Sequence, residues 1–458
     1  VASRSAGTNR LSPGATAWAL FEGVRVPYVV LVTIYVFMPY FATVVVGDPV
    51  RGQATVAQYG KIGGWIVALT APFLGAAVDR LGPRKPWLGL VTTLMVALAG
   101  LLWWTLPDGS GLSVGEVVAI AATMTVLYAY SEMLHNALLP RAAPGREHLA
   151  SGLGLVLGNA VSTAMLVFVL WAFVLPGKVA WAIVPDAPLF GLEPALHEPD
   201  RIVAPIVAVT MALGCLPLFF LTPDAPRSGA RPFAALLGAF GDLRRLIVRA
   251  RGHRDALLFL VARMIYADGK TAILLFGGVY AAGVMRWGTL ELLAYGVILS
   301  IVAVVGGFLG AWLDGRLGPK RAIQIEIVLI LLSQAAVLGG ARDRILYSPA
   351  STEPLWDAPM FRTAPELAFL VAAFLTAIGV TAAYASSRTL LVRLVPEKEA
   401  GVFFGLYALS GTATFWLAPA LVEGFTRAYG TQQAGFYPVI GLLLTGLALL
   451  SFVKAPAR

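Results

Sequence analysis

Apolar runs of about 20 residues, separated by short polar punctuation, recur along the whole chain. A run of that length crosses roughly 30 Å of hydrocarbon as a helix. The pattern predicts spans at 17–45, 57–78, 87–106, 114–138, 149–174, 201–222, 255–283, 290–313, 321–340, 366–390, 400–423 and 432–453. These runs are continuously apolar and lack the ten-residue alternation of a membrane barrel. The expected class is therefore an all-α integral membrane protein with twelve transmembrane helices. A stretch rich first in Pro and then in Arg, TPDAPRSGARPFAALLGAFGDLRRLIVRARGHRD, separates two sets of six. The expected organisation is an N-terminal six-helix bundle over 1–222, a cytoplasmic linker over 223–254 and a C-terminal six-helix bundle over 255–458. Within the linker, Phe233 to Arg251 is amphipathic enough to form a helix lying on the membrane surface.

The two sets carry matching punctuation. GAAVDRLGPRKPW (75–87) follows the second span, and GAWLDGRLGPKRA (310–322) follows the eighth. Arg141 precedes Pro144 after the fourth span, and Arg393 precedes Pro396 after the tenth. Such echoes predict two pseudo-symmetric bundles, an internal symmetry of transporters that bind solute near the midplane between the repeats.

Composition changes the picture in two ways. With 58% apolar and 13% charged residues, the chain departs from the roughly 25% charged content of soluble proteins. The formal charge of +9 reads as topology rather than as affinity for nucleic acid. With an even number of spans and both termini cytoplasmic, most Lys and Arg fall on the cytoplasmic side. The first fifteen residues lack the apolar core of a cleavable signal. A single cysteine, Cys215, permits no intrachain disulfide, and four scattered histidines suggest no metal site. No phosphate-cradling Gly loop is present, so ATP is not the expected energy source. Neither a cofactor nor an enzymatic activity is expected.

The candidate chemistry lies in the polar residues inside the spans, each of which costs about 2.5–3.5 kcal/mol if charged at the bilayer centre. Glu22 and Arg25 share a helix face in the first span. Tyr128, Glu132, His135 and Asn136 form one stripe in the fourth. Glu22, Glu132 and His135 are the proton-coupling candidates, because a carboxylate or imidazole whose neighbours change between two states binds and releases protons. In LVARMIYADGKTAILLFGG, Arg263 and Lys270 are nearly two turns apart and share a face, with Tyr266 between them. Asp268 points away from that face, and Asp268–Gly269 is the expected helix break. Tyr384 in the tenth span is a further lining candidate, whereas Trp18, Trp103, Trp104 and Trp287 read as interfacial anchors.

The loop residues Gly75, Asp79, Arg80, Gly82, Arg84 and Lys85, with the echo at Gly310, Asp314, Lys320 and Arg321, resemble the loop signature of the major facilitator superfamily. YFATVVVGDPVRGQA, DRLGPRKPWL, HNALLPRAAP, LFGLEPALHE, ARMIYADGKTAILLFGGVYA and PEKEAGVFFGLYALSGTAT resemble its vacuole-effluxer-like branch. Fungal members of that branch are associated with autophagy and release amino acids from the vacuole. The resemblance implies the major facilitator fold and alternating access, with the first, fourth, seventh and tenth spans lining the cavity. It implies a gating role for the loop charges, a small organic solute such as an amino acid or small peptide, and a proton or other ion as partner. A monomer in the lipid bilayer of a bacterial inner membrane is the expected setting. One departure is Glu22, which stands in ALFEGVRVPY where the branch usually has Asp. Two other readings stay open: a sugar or other solute symporter related to melibiose permease, and a non-transporting membrane scaffold. The former is disfavoured by a second span that holds no acidic residue before Asp79.

Overall fold

The computed structural model describes residues 11–226, 252–395 and 400–454, together with residues 241 and 248. Most of the expected linker, and the side chains of Gly75, Asp79 and Arg80, lie outside the described residues. Among the described residues, nine helices are long and apolar enough to cross a membrane. These are α1 (Pro13–Val45), α3 (Lys85–Trp104), α4 (Val114–Ala142), α5 (Leu149–Val174), α6 (Glu198–Leu221), α8 (Thr289–Leu317), α9 (Pro319–Leu338), α10 (Ala364–Leu394) and α13 (Gln433–Ser451). Three expected spans are helical but more polar or broken: α2 (Pro49–Leu81), α7 (Arg254–Val284), and the pair α11 (Ala400–Thr412) and α12 (Leu417–Tyr429).

Local chemistry explains the boundaries. Ser113 and Glu116 form a reciprocal capping box at the start of α4, and Thr363 with Glu366 does the same for α10. The two repeated loops fold alike at their glycines. Gly82 (φ 96) and Gly318 (φ 81) each sit in the left-handed half of the backbone map between helices, and each is followed by proline.

Two irregularities depart from the expected regular spans. The helix α1 passes into π-helical geometry over Tyr28–Tyr35 and again over Phe41–Val45, with Val36 (φ −123, ψ −71) between. Pro27 and Pro39 flank the first of these stretches, and each removes a backbone donor from the ladder. The expected break in α7 is absent: that helix runs through Asp268 and Gly269 from Arg254 to Val284. Gly269 instead provides room, since a Cβ there would come within 3.1–3.3 Å of Leu443 and Val439 on α13. The interruption lies in the expected eleventh span, where residues 413–416 form a turn.

Among the described residues the two sides of the chain meet along several seams, two of which show how they are held. At the α1–α7 crossing, a Cβ on Gly278 would come within 1.8 Å of the Ile34 carbonyl, so only glycine allows the contact. The second seam joins α2 to α12. Buried Gln53 donates to Thr426 Oγ1 and to the Gln432 carbonyl, both at 2.9 Å. Lys61 pairs with Glu423 at 2.6 Å, and Trp65 stacks on Trp416 with centroids 4.0 Å apart.

Candidate functional site

In the N-terminal part, α1 and α4 assemble one charged cluster. Arg25, 2% exposed, donates to both Glu22 oxygens at 2.8 and 2.9 Å. Its second terminal nitrogen lies 3.7 Å from Glu132, and its guanidinium sits 4.3 Å above the Tyr128 ring. One cation thus bridges two carboxylates on two helices. Glu132 is the open end of this cluster, with its side chain 53% exposed.

His135 closes the other end. Its Nε2 donates to the Trp18 carbonyl at 2.8 Å, the Trp18 indole donates back to the His135 carbonyl, and the two rings stack at 4.1 Å. With Nε2 carrying a hydrogen, Nδ1 is left facing Glu22 at 3.5 Å. Trp18 is therefore a buried packing partner, 3% exposed, and Trp287 is 4% exposed. Both correct the expectation of interfacial anchors. Asn136 is exposed, and no bond joins it to the cluster.

In the C-terminal part the expected residues are buried but differently engaged. Arg263 leans on α11, where it donates to the Tyr407 carbonyl at 2.8 Å and to Ser410 Oγ at 2.6 Å and stacks 3.4 Å over the Tyr407 ring. Tyr266 shares a hydrogen bond with Ser387 on α10 at 2.8 Å. Lys270, 1% exposed, places its ammonium 3.8 Å from the Tyr384 ring centroid and 5.3 Å from that of Tyr266. Among the described residues no carboxylate lies within 4.0 Å of it. Tyr384 in turn lies within electrostatic reach of Glu132.

Sequence reasoning missed Glu326. It is completely buried on α9, accepts one bond from Ser386 Oγ at 2.9 Å, and leaves Oε2 without a hydrogen-bond partner among the described residues. It is close enough to Lys270 for their charges to interact. The signal was a lone Glu in the apolar run IQIEIVLILL.

The loop charges take structural partners. Asp224, after α6, accepts from the backbone N–H groups of Arg84 and Lys85 at 2.9–3.1 Å, capping α3. Lys85 Nζ reaches the Phe219 carbonyl, and Lys320 Nζ the Ser451 carbonyl. Arg321 is exposed and Asp314 half-buried. A separate cavity of about 50 Å³, lined by Tyr35, Tyr280, Tyr295, Gln334 and Thr376 among others, lies away from the charged clusters.

The chain belongs to the "Vacuole effluxer Atg22 like" family, whose model matches residues 60–457. A relative from Bacillus subtilis (strain 168), described as "Uncharacterized MFS-type transporter YxiO", is 22% identical and aligns over 97% of this chain and 95% of its own length. Autophagy-related protein 22 of Yarrowia lipolytica (strain CLIB 122 / E 150) is 25% identical across 44% of this chain and 32% of that protein, so the match spans about a third of the fungal relative. Solved structures agree in fold. A D-xylose-proton symporter superposes with a TM-score of 0.62 at 13% identity, covering 96% of this chain and 98% of that one. The nucleoside transporter NupG does so with a TM-score of 0.61 at 15% identity, covering 97% and 99%. The chain is a mostly helical, multi-pass membrane protein of the major facilitator fold and a transporter rather than an enzyme.

Proposed function

From membership of this family we propose a secondary active transporter that moves a zwitterionic solute, an amino acid or small peptide, by alternating access between two six-helix bundles. In this reading α2, α7 and the α11–α12 pair complete twelve crossings, and the residues between Thr222 and Arg254 link the bundles on the cytoplasmic side. The observation that supports the substrate class is the presence of an exposed carboxylate and of an ammonium with no ion-pair contact among the described residues. Glu132 is 53% exposed, and Tyr384, against which the Lys270 ammonium rests, lies within electrostatic reach of Glu132. A solute ammonium suits Glu132 and a solute carboxylate suits Lys270.

Glu132 is also the group we assign to proton coupling. It shares Arg25 with Glu22, so a proton on Glu132 leaves the cation wholly to Glu22 and loosens the link between α1 and α4. Glu22 is less suited to cycling, because Arg25 holds both of its oxygens. The test is solute efflux from proteoliposomes under an imposed pH gradient. Wild-type protein is expected to move an amino acid against its gradient. Glu132→Gln is expected to lose all response to the pH gradient and to raise the half-saturating solute concentration for exchange of labelled for unlabelled solute. Movement of a sugar but of no amino acid or peptide would favour the sugar-symporter reading, to which the tyrosine faces at 128, 266 and 384 are also suited. No flux of any solute would support the scaffold reading.

A further inference from the structure

The cavity beside the α1–α7 crossing is lined by two residues whose polar groups are unmatched. Its volume is about 50 Å³. Ile34 and Tyr35 of α1 supply one wall, and Gly278 and Tyr280 of α7, Gln334 of α9 and Thr376 of α10 are among the residues of the others. Tyr280 is 1% exposed and Gln334 3%. The Tyr280 hydroxyl and Gln334 Oε1 have no hydrogen-bond partner among the described residues. The other end of the Gln334 amide is engaged: Nε2 donates to Thr376 Oγ1 at 3.1 Å, and Thr376 Oγ1 lies 2.8 Å from Ser333 Oγ. Turning the amide over would strand its nitrogen instead of its oxygen, so one end lacks a protein partner in either setting. No charged side chain is among the residues lining the cavity.

A buried hydroxyl and a buried amide oxygen each cost free energy when left without a partner, and here both belong to residues that line one cavity. A lining without charge suits an uncharged occupant. The smallest molecule that donates to an amide oxygen and accepts from a phenol is water, which needs roughly 10–15 Å³ and at least two polar partners. The cavity has the room and the two groups. We propose that it is a water-binding site, in which ordered water accepts from the Tyr280 hydroxyl and donates to Gln334 Oε1. Through Gln334 the link continues to Thr376 and Ser333, so bound water completes a hydrogen-bonded chain from α7 to α9 and α10. The site is tied to the crossing itself, because Gly278, where only glycine admits the Ile34 carbonyl, lines the same cavity as Ile34. Parting α1 from α7 removes a wall of the site, and exchange of its water with bulk follows that motion.

The experiment needs no solute, so its result leaves the amino-acid reading untouched. X-ray radiolysis turns water beside a buried ring into hydroxyl radicals that oxidise the ring, and oxygen-18 water mixed in shortly before exposure separates resident from arriving water. In the purified full chain, Tyr280 is expected to be oxidised with the unlabelled isotope at short mixing times. Ala377→Val, whose added methyl groups enter the cavity that Ala377 lines, should lose that oxidation. A second readout turns on sign. Tyr280→Phe should raise the unfolding constant about fivefold in denaturant, the loss of one net hydrogen bond. Around a dry cavity the same change removes an unmatched hydroxyl and leaves the protein as stable as wild type or more so. Should Ala377→Val fail to fold, wild-type oxidation and Tyr280→Phe carry the test. Absence of oxidation at Tyr280, oxidation unchanged in Ala377→Val, or a Tyr280→Phe protein at least as stable as wild type would overturn the site.

Discussion

The two sides of the molecule bury charge in opposite ways. In α1 and α4, Glu22, Arg25 and Glu132 are joined by ion pairs, and His135 is locked to Trp18. In α7 and α9, Arg263, Asp268, Lys270 and Glu326 are all buried, and among the described residues no two of them are in ion-pair contact. They rest instead on hydroxyls, a carbonyl and aromatic faces. A paired cluster carries most of its compensation within itself, so it fixes helices relative to one another. An unpaired buried charge keeps its capacity for a counter-charge that arrives from outside. The contrast separates a largely self-compensated cluster, open at Glu132, from a receptive surface inside one fold.

The largest expected effect is on the paired side. Arg25→Ala leaves two carboxylates around an empty position, and breaking a buried pair from one side costs about 3–5 kcal/mol. Denaturant unfolding of the purified protein should show that loss. The double variant Glu22→Ala with Arg25→Ala should be less destabilised than Arg25→Ala alone, because one of the stranded charges is gone. Equal destabilisation of the two would mean that the cluster acts by packing rather than by charge.

On the unpaired side the effect should move from stability to function. Lys270→Met removes a charge that has no carboxylate partner among the described residues and retains its apolar stem. Unfolding is expected to stay within about 1 kcal/mol of wild type, the range of a volume-conserving core change. Solute flux should fall at least about tenfold, the equivalent of 1.4 kcal/mol of lost interaction. A Lys270→Met protein as unstable as Arg25→Ala would erase the distinction between the two sides.

Much of this was legible in the chain. The span edges follow from hydropathy and caps, and most agree with the helices to within a few residues, because lipid leaves the backbone no other way to satisfy its polar groups. The Glu22–Arg25 pair was legible because both partners lie on one helix, three residues apart. The engagement of Arg263 and Lys270 was not, since spacing gives a face but not the neighbour across it. The helix break illustrates the same limit. Asp268 and Gly269 carry a break signature, yet α7 packs on α13 along its Gly269 face and stays helical. The span opposite interrupts instead, in SGTATFWLAP, whose small and β-branched residues before Pro419 form helix weakly. Glu326 escaped notice because it has no charged neighbour in sequence.

The smallest expected effect concerns the seam between the two sides, where the polar groups at its end are neutral. Gln53 donates to Thr426 and to the Gln432 carbonyl, and Gln432 donates to Gln53 at 3.3 Å and to the Val279 carbonyl at 3.3 Å. Neutral bonds of this kind net about 0.5–1.5 kcal/mol each, so Gln53→Ala, which removes three of them, should shift the open-to-closed ratio of the seam by at least about tenfold. Because Cys215 is the only cysteine, a Cys215→Ala background with Gln58→Cys gives a single thiol beside the seam, and its labelling rate reads the opening. Gly435→Ala provides the steric counterpart, since its Cβ would come within 2.6 Å of Gln53 Nε2 and closer still to Thr426. Both variants should speed labelling. If neither does, the seam is held by the Lys61–Glu423 pair and the Trp65–Trp416 stack, and charge would dominate there as it does around Arg25.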